Sequence, residues 1–278
     1  MSNPDFASRR EAFRKLHESG CFVIPNPWDI GSAKYLQSLG FPALATTSAG
    51  FAFSRGLADN AVSRDLILAH IGEIVSAVEL PVNADFEAGF ATSPEEVALN
   101  VRLCIETGVS GLSIEDATGD PAQPLYDLEL AVERIHAARA AIDATNSGVL
   151  LVARAECFLT RHPKPLEEAI RRLQRYAGAG ADVLYAPGPD DRDSISAIVT
   201  AVKPKPVNVL MSGNPRLTVA DLAELGVRRI STGSALARAA WGGFQRAAKA
   251  IASQGSFAKL DDAAPFRELN NFFRKDVP

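Results

Sequence analysis

Eight consecutive strand-helix units predict a (β/α)8 TIM barrel, and three observations carry that prediction. The candidate strands are short, near-continuous apolar runs, as expected when both faces of a parallel sheet are buried. Amphipathic segments with helical spacing separate them, and several of those segments end in a glycine just before the next strand, at Gly40, Gly108, Gly180 and Gly226. A doubly wound open sheet shares this alternation, because periodicity does not reveal closure.

An N-terminal helix over residues 6–19 uses Phe6, Phe13 and Leu16 as its apolar face and stops at Gly20. The units follow as strand 21–25 with helix 30–39, strand 43–46 with helix 63–78, and strand 81–85 with helix 94–106. Strand 111–115 precedes helix 128–144, strand 149–154 helix 165–177, and strand 182–186 helix 194–201. Strand 207–211 with helix 219–225 and strand 229–232 with helix 234–252 complete the eight. Helix 94–106 has the clearest start: Ser93 caps, Pro94 takes the first helical position, and Glu95 and Glu96 sit at the positive end of the dipole. A last amphipathic segment, 265–273, presents Phe266, Leu269, Phe272 and Phe273, either to its own barrel or to another subunit. The chain is read as one domain, 1–278, with extra N- and C-terminal helices.

Composition narrows the function. With 278 residues, 47 % hydrophobic and 22 % charged, the chain can bury a large core, and a net charge of -4 argues against nucleic acid or an anionic membrane as a partner. Three scattered cysteines, Cys21, Cys104 and Cys157, suit neither a disulfide framework nor a zinc knuckle. The N-terminus lacks the pattern of a signal peptide and no run spans a bilayer, so a cytoplasmic location is expected.

In such a barrel the chemistry sits at the C-terminal ends of the strands. There the chain places Trp28 and Asp29, then Thr47, Ser48 and Gly50 with Asp59 further on, then Asp85 and Glu87, Glu115 and Asp116, and Arg154 and Glu156. Asn208 falls early in the seventh strand, with Ser212 and Asn214 after it. Asp59, Asp85, Glu87 and Glu115 would repel one another on one rim unless a cation neutralised them, and carboxylate oxygens suit a hard ion such as Mg2+. Read alone, Asp85 and Glu87 fit a polar loop or helix cap equally well. Arg154 offers a planar fork for a carboxylate or a developing enolate oxygen, or else simply pairs with Glu115 or Glu156. Ser48-Ala49-Gly50 presents backbone N-H groups for a substrate carboxylate, or is an ordinary turn; Thr232-Gly233-Ser234 is a helix cap or a phosphate cradle. No lysine ends a strand, which disfavours a Schiff-base aldolase, and no Gly-x-Gly-x-x-Gly follows one.

Pro25-Asn26-Pro27-Trp28-Asp29, Thr47-Ser48-Ala49-Gly50, Gly56-Leu57-Ala58-Asp59, Asp85-Phe86-Glu87-Ala88-Gly89, Ile114-Glu115-Asp116 and Ala153-Arg154 occur in the order in which similar motifs occur in the isocitrate lyase and phosphoenolpyruvate mutase superfamily, which the chain resembles over most of its length. The resemblance implies Mg2+, with Mn2+ as a substitute, held mainly by Asp85 and reached through waters by Asp59, Glu87 and Glu115. It implies a small 2-oxo acid substrate supported by Trp28, the backbone of Ser48, Ala49 and Gly50, Arg154 and Asn208. Asp59, Glu115 and Arg154 are then the expected catalytic residues. A homo-oligomer, dimer or tetramer, with the last barrel helix swapped between subunits, is implied for the segment 234–278.

The departures bear on the reaction. Family members that cleave isocitrate or methylisocitrate carry a Lys-Lys/Arg-Cys-Gly-His loop after the fourth strand, whereas residues 116–127 here contain no cysteine, lysine or histidine. The usual second aspartate of the metal motif is Glu87. The expected activity is therefore a Mg2+-dependent lyase or hydrolase that cleaves or decarboxylates an oxaloacetate-like 2-oxo acid through a metal-stabilised pyruvate enolate. Phosphonopyruvate hydrolase or mutase chemistry is the enzymatic alternative, and a non-catalytic 2-oxo-acid binding protein the alternative of another class.

Overall fold

A computed structural model describes residues 5–213 and 216–274, and the chain divides into two compact units, residues 1–234 and 235–278. Asn214 and Lys275 lie outside the described residues.

The first unit opens with α1 (Phe6–Leu16), then β1 (Phe22–Ile24), α2 (Ile30–Ser38), β2 (Leu44–Ala45), α3 (Ser48–Ser54) and α4 (Arg64–Ala77). It continues through β3 (Val82–Asp85), α5 (Pro94–Glu106), β4 (Gly111–Glu115), α6 (Leu128–Ala144), β5 (Leu150–Arg154) and α7 (Pro165–Gly178). The last strands, β6 (Val183–Tyr185), β7 (Val207–Leu210) and β8 (Arg229–Ser231), alternate with α8 (Arg192–Ala201) and α9 (Val219–Glu224).

All strand pairs are parallel and run in the order β1-β8-β7-β6-β5-β4-β3-β2, so the sheet closes rather than opening as a doubly wound fold. The seam between β1 and β2 is sewn by two bonds: the Ala45 N-H donates to the Pro25 carbonyl at 3.1 Å, and Asn26 Nδ2 donates to the Thr46 carbonyl at 2.9 Å. Asn26 stitches the other side too, since its Oδ1 accepts from the backbone N-H groups of Thr232 and Gly233 at 2.9 and 2.8 Å. That carbonyl occupies the donors a phosphate would need, so the Thr232-Gly233 turn acts here as part of the closure.

Gly40, Gly108, Gly180 and Gly226 have φ between +82° and +98°, the left-handed helix ends expected from their positions. The helix α3 is the element absent from the sequence-based expectation. Its residues, Ser-Ala-Gly-Phe-Ala-Phe-Ser, follow a strand end too closely to look like an independent helix; the Thr47 side chain caps it through the Gly50 N-H, and Phe51 stacks flat on His70 of α4 at 3.9 Å. Helix formation here is a tertiary effect, because an isolated helix this short is marginal.

The second unit contains α10 (Ala235–Gln254), a 3-10 turn (Ala258–Leu260) and α11 (Phe266–Arg274). Trp241 and Phe244 pack edge to face in α10, and Phe272 and Phe273 in α11, while Phe244, Phe257 and Phe266 remain exposed. Among the described residues no helix is long and apolar enough to cross a membrane.

Candidate functional site

Strand direction decides which side chains meet. Because all eight strands are parallel, Asp85, Glu115 and Arg154 end β3, β4 and β5 at the same mouth of the barrel, and the β4–β5 register sets Glu115 directly beside Arg154. Arg154 is the hub. Its Nη1 lies 2.8 Å from Asp85 Oδ1, its Nη2 3.0 Å from Glu115 Oε2 and its Nε 2.9 Å from Glu156 Oε1. The guanidinium also lies over the Tyr185 ring, 5.2 Å from its centre. Burial alone would lower the Arg154 pKa, but three carboxylates hold it well above its ordinary value.

Asp85 is gripped from the other side by α3. The Ser48 N-H and hydroxyl both donate to Asp85 Oδ2, at 3.0 and 2.9 Å, and the Asp85 N-H donates to Thr46 Oγ1. The Ser48 hydroxyl also lies 3.5 Å from Asp59, which brings that residue from its long loop to the rim. Ser48, Ala49 and Asp59 line, with Asp85, Glu115 and Arg154, a cavity of about 350 Å³. Gly50 is buried in the first turn of α3, its N-H donated to Thr47.

The loop after β3 makes its turn with left-handed residues: Glu87 at φ +47°, Gly89 at +74° and Phe90 at +55°. A glutamate in that region is uncommon, and the surroundings impose it. Glu87 accepts the Glu115 N-H on its carbonyl, and the buried Arg134 of α6 donates to the carbonyls of Ala88, Ala91 and Thr92. One consequence is an orphan: Glu87 Oε1 is buried without a hydrogen-bond partner, and burial together with Asp85 and Asp59 pushes its carboxyl up to about 8. Burial, with Asp85 second, likewise raises Asp59, and burial raises Glu115 against the pull of Arg154.

These carboxylates exceed the positive charge that Arg154 supplies, and the orphaned Glu87 oxygen marks where the excess is least relieved. Hard oxygen donors of this kind fit Mg2+. Among the described residues no three acidic, histidine or cysteine side chains form a ready-made cage. The donor set thus suits an ion that takes few protein ligands and keeps waters, which is the habit of Mg2+.

Glu156, expected at the strand ends and as a partner for Arg154, belongs to the cavity wall. Burial pushes its carboxyl up to about 7. Its placement comes from β4: the Glu156 N-H donates to Asp116 Oδ1 at 2.8 Å, and Asp116 Oδ2 in turn accepts from Arg172 at 3.0 Å and from the Tyr176 hydroxyl. Asp116 is therefore a buried strut rather than a rim ligand. Three further expectations lie off the cavity wall: Trp28 and Glu87 are not among the cavity-lining residues, and Asn208 commits its side chain to Arg229 and Ser231 within the barrel.

Residues 13–252 match the family model described as phosphoenolpyruvate phosphomutase. Among solved structures, a provisionally named lyase/mutase of Burkholderia cenocepacia J2315 is 49 % identical, superposes with a TM-score of 0.93 and is covered over 97 % of both chains. A phosphonopyruvate hydrolase solved in complex with oxalate and Mg2+ is 27 % identical, with a TM-score of 0.83 over 96 % of both chains. Among curated relatives, the oxaloacetate decarboxylase of Paraburkholderia xenovorans (strain LB400) is 31 % identical over 82 % of this chain and 75 % of its own.

Proposed function

Since the chain belongs to the phosphoenolpyruvate phosphomutase family within the isocitrate lyase superfamily, we propose that its barrel mouth is a Mg2+ site where a small, oxaloacetate-like 2-oxo acid either loses the carboxylate on C3 as carbon dioxide or is hydrolysed between C2 and C3. The observation that carries this reading is Arg154, a half-buried guanidinium on the cavity wall with carboxylates on every bonded side. Asp85 would hold the ion, with Glu87, Glu115 and Asp59 reaching it through water. When bound, the cation supplies Lewis-acid stabilisation of the 2-oxo oxygen and a template for the chelating acid.

The chain's own residues do the rest. As the bond to C3 breaks, negative charge moves to the 2-oxo oxygen, and the Arg154 fork is a fixed donor for that charge in a site that needs no reorganisation. Ser48 and Asp85 fix one side of the fork while Glu115 and Glu156 fix the other, which orients it. Glu156 is the group we assign to delivering a proton to C3 after departure, because it lines the same cavity and burial holds its carboxyl near neutrality. The loop 117–125, closed on itself by paired Ala117 and Leu125, brings no cysteine, which weighs against isocitrate-type cleavage.

The related phosphonopyruvate hydrolase supports a second reading, P-C cleavage at the same site. The exposed aromatic residues Phe244, Phe257 and Phe266 support a homo-oligomer that covers the second unit. The test of the function is pyruvate release from oxaloacetate, read by a coupled dehydrogenase with Mg2+ and with EDTA. Metal-dependent release above the non-enzymatic rate supports decarboxylation, and a pyruvate rate equal to the protein-free control with no oxalate or acetate formed refutes the proposal.

A further inference from the structure

Arg229 begins β8 and points into the barrel, where it is 2 % exposed. Its side-chain bonds are to neutral groups: Nε donates to Asn208 Oδ1 at 2.9 Å, and Nη1 to Asn83 Oδ1 at 3.3 Å across the barrel. The charged and ionisable groups that act on it most are Tyr185 and Arg154, and the second of these repels it. On the α1 side it faces His17, which burial and Arg229 itself keep neutral. Burial lowers its pKa to about 10, so it stays cationic at neutral pH.

A buried cation of this kind needs compensation. The buried Arg172 has Asp116 and Glu168, the half-buried Arg154 has three carboxylates, and the buried Arg134, which like Arg229 has no carboxylate, has three backbone carbonyls. Among the described residues Arg229 has no ion-pair partner, and it lines the same cavity as Arg154 together with Asn83 and Ser231. The two guanidiniums thus share one 350 Å³ space, one neutralised and one not.

We propose that Arg229 is a specificity-determining residue that receives the terminal anionic group of the substrate, a carboxylate, so that the cavity selects a diacid over a monoacid of equal length. This rests on the 2-oxo-acid reading above, and it adds the residue that recognises the far end. Asn83 and Asn208 hold the guanidinium in place from opposite sides, and Asn208, itself fixed to Ser231, keeps it from folding away. A charge-assisted, bidentate arginine pair of this type discriminates strongly against an uncharged terminus, which would leave the guanidinium desolvated and unpaired.

The test compares oxaloacetate with 2-oxobutyrate, four-carbon 2-oxo acids that differ in a terminal carboxylate against a methyl group. Dissociation constants are measured with Mg2+ by rapid-mixing fluorescence before turnover, on the wild-type protein, Arg229→Met and Arg229→Lys, with circular dichroism to check the fold. The wild type should bind oxaloacetate at least ~10-fold tighter. Arg229→Met should erase that preference while leaving 2-oxobutyrate binding within about twofold, and Arg229→Lys should retain part of it. A wild-type protein that binds both acids equally, or an Arg229→Met variant that keeps the preference or weakens both acids alike, overturns the role of Arg229 and leaves the 2-oxo-acid reading standing. Failure of the wild type to bind either acid overturns both. If Arg229→Met does not fold, a preference reduced but not abolished in Arg229→Lys supports the proposal, and an undiminished or wholly abolished preference for oxaloacetate in that variant overturns it.

Discussion

Arg154 Nη1 and Asp85 Oδ1 lie 2.8 Å apart, joining the permanent cation of the cavity to the carboxylate proposed to hold the metal. The two residues come from non-adjacent strands, β5 and β3, with Glu115 of the intervening β4 also bonded to Arg154. The pair therefore couples the charge that a cation would neutralise to the fork that would bind developing negative charge.

Replacement of Asp85 by asparagine keeps the shape and an acceptor for Ser48 but removes the charge. Metal-dependent turnover should fall to the level of the EDTA control while the circular dichroism spectrum is unchanged. Wild-type rates in Asp85→Asn are incompatible with Asp85 as the principal ligand.

Arg154→Lys should lower kcat/KM by at least about 100-fold, the scale on which loss of one preorganised donor is felt. A compact ammonium cannot span Asp85, Glu115 and Glu156 at once. Steady-state kinetics check this, and unchanged constants would reduce Arg154 to a structural pairing.

Tyr176→Phe removes one of two donors to Asp116 Oδ2 and so loosens the backbone anchor of Glu156. It should destabilise the protein by about 1–3 kcal/mol and reduce kcat more than it changes KM. Urea unfolding gives the first quantity and initial rates the second; an effect on stability alone would detach the strut from the chemistry.

Acid should destabilise the fold through two histidines. Burial keeps His70 neutral down to about 4 and, with Arg229, His17 down to about 3, while both protonate near 6.5 in the unfolded chain. A lowered native pKa means that the unfolded state binds the extra protons, so the stability is whole above pH 6.5 and falls as pH drops towards 4 for His70 and towards 3 for His17. Each group contributes at most about 1.4 kcal/mol per pH unit. In urea unfolding from pH 7 to pH 4.5, His70→Gln should show a shallower loss than the wild type; equal slopes would mean that His70 protonates freely in the native state.

The barrel was legible because strands buried on both faces leave unbroken apolar runs, and Gly40, Gly108, Gly180 and Gly226 mark four helix ends by a conformation that favours glycine. The candidate site was legible where carboxylates gather at strand ends, as at Asp85 and Glu115. What escaped depends on contacts between distant segments. Helix α3 exists through Thr47 and the stacking of Phe51 on His70, and Glu156 is anchored at the cavity by Asp116, the residue that follows β4. Arg229 stands beside Arg228 at the start of a strand, with no motif to set it apart. Asn83 and Asp85, and Arg229 and Ser231, show polar groups at alternate positions of short strands, a signal that the barrel interior is itself polar.

The most direct measurement of the central claim is product identification by proton and phosphorus NMR after incubation with oxaloacetate, its alkyl derivatives and phosphonopyruvate, each with Mg2+ or with EDTA. The account predicts Mg2+-dependent pyruvate with carbon dioxide, or oxalate with acetate, from the oxaloacetate series, and neither from Asp85→Asn. Pyruvate with inorganic phosphate from phosphonopyruvate alone would contradict the carbon-carbon assignment, and bound but unchanged substrates would contradict catalysis at this site.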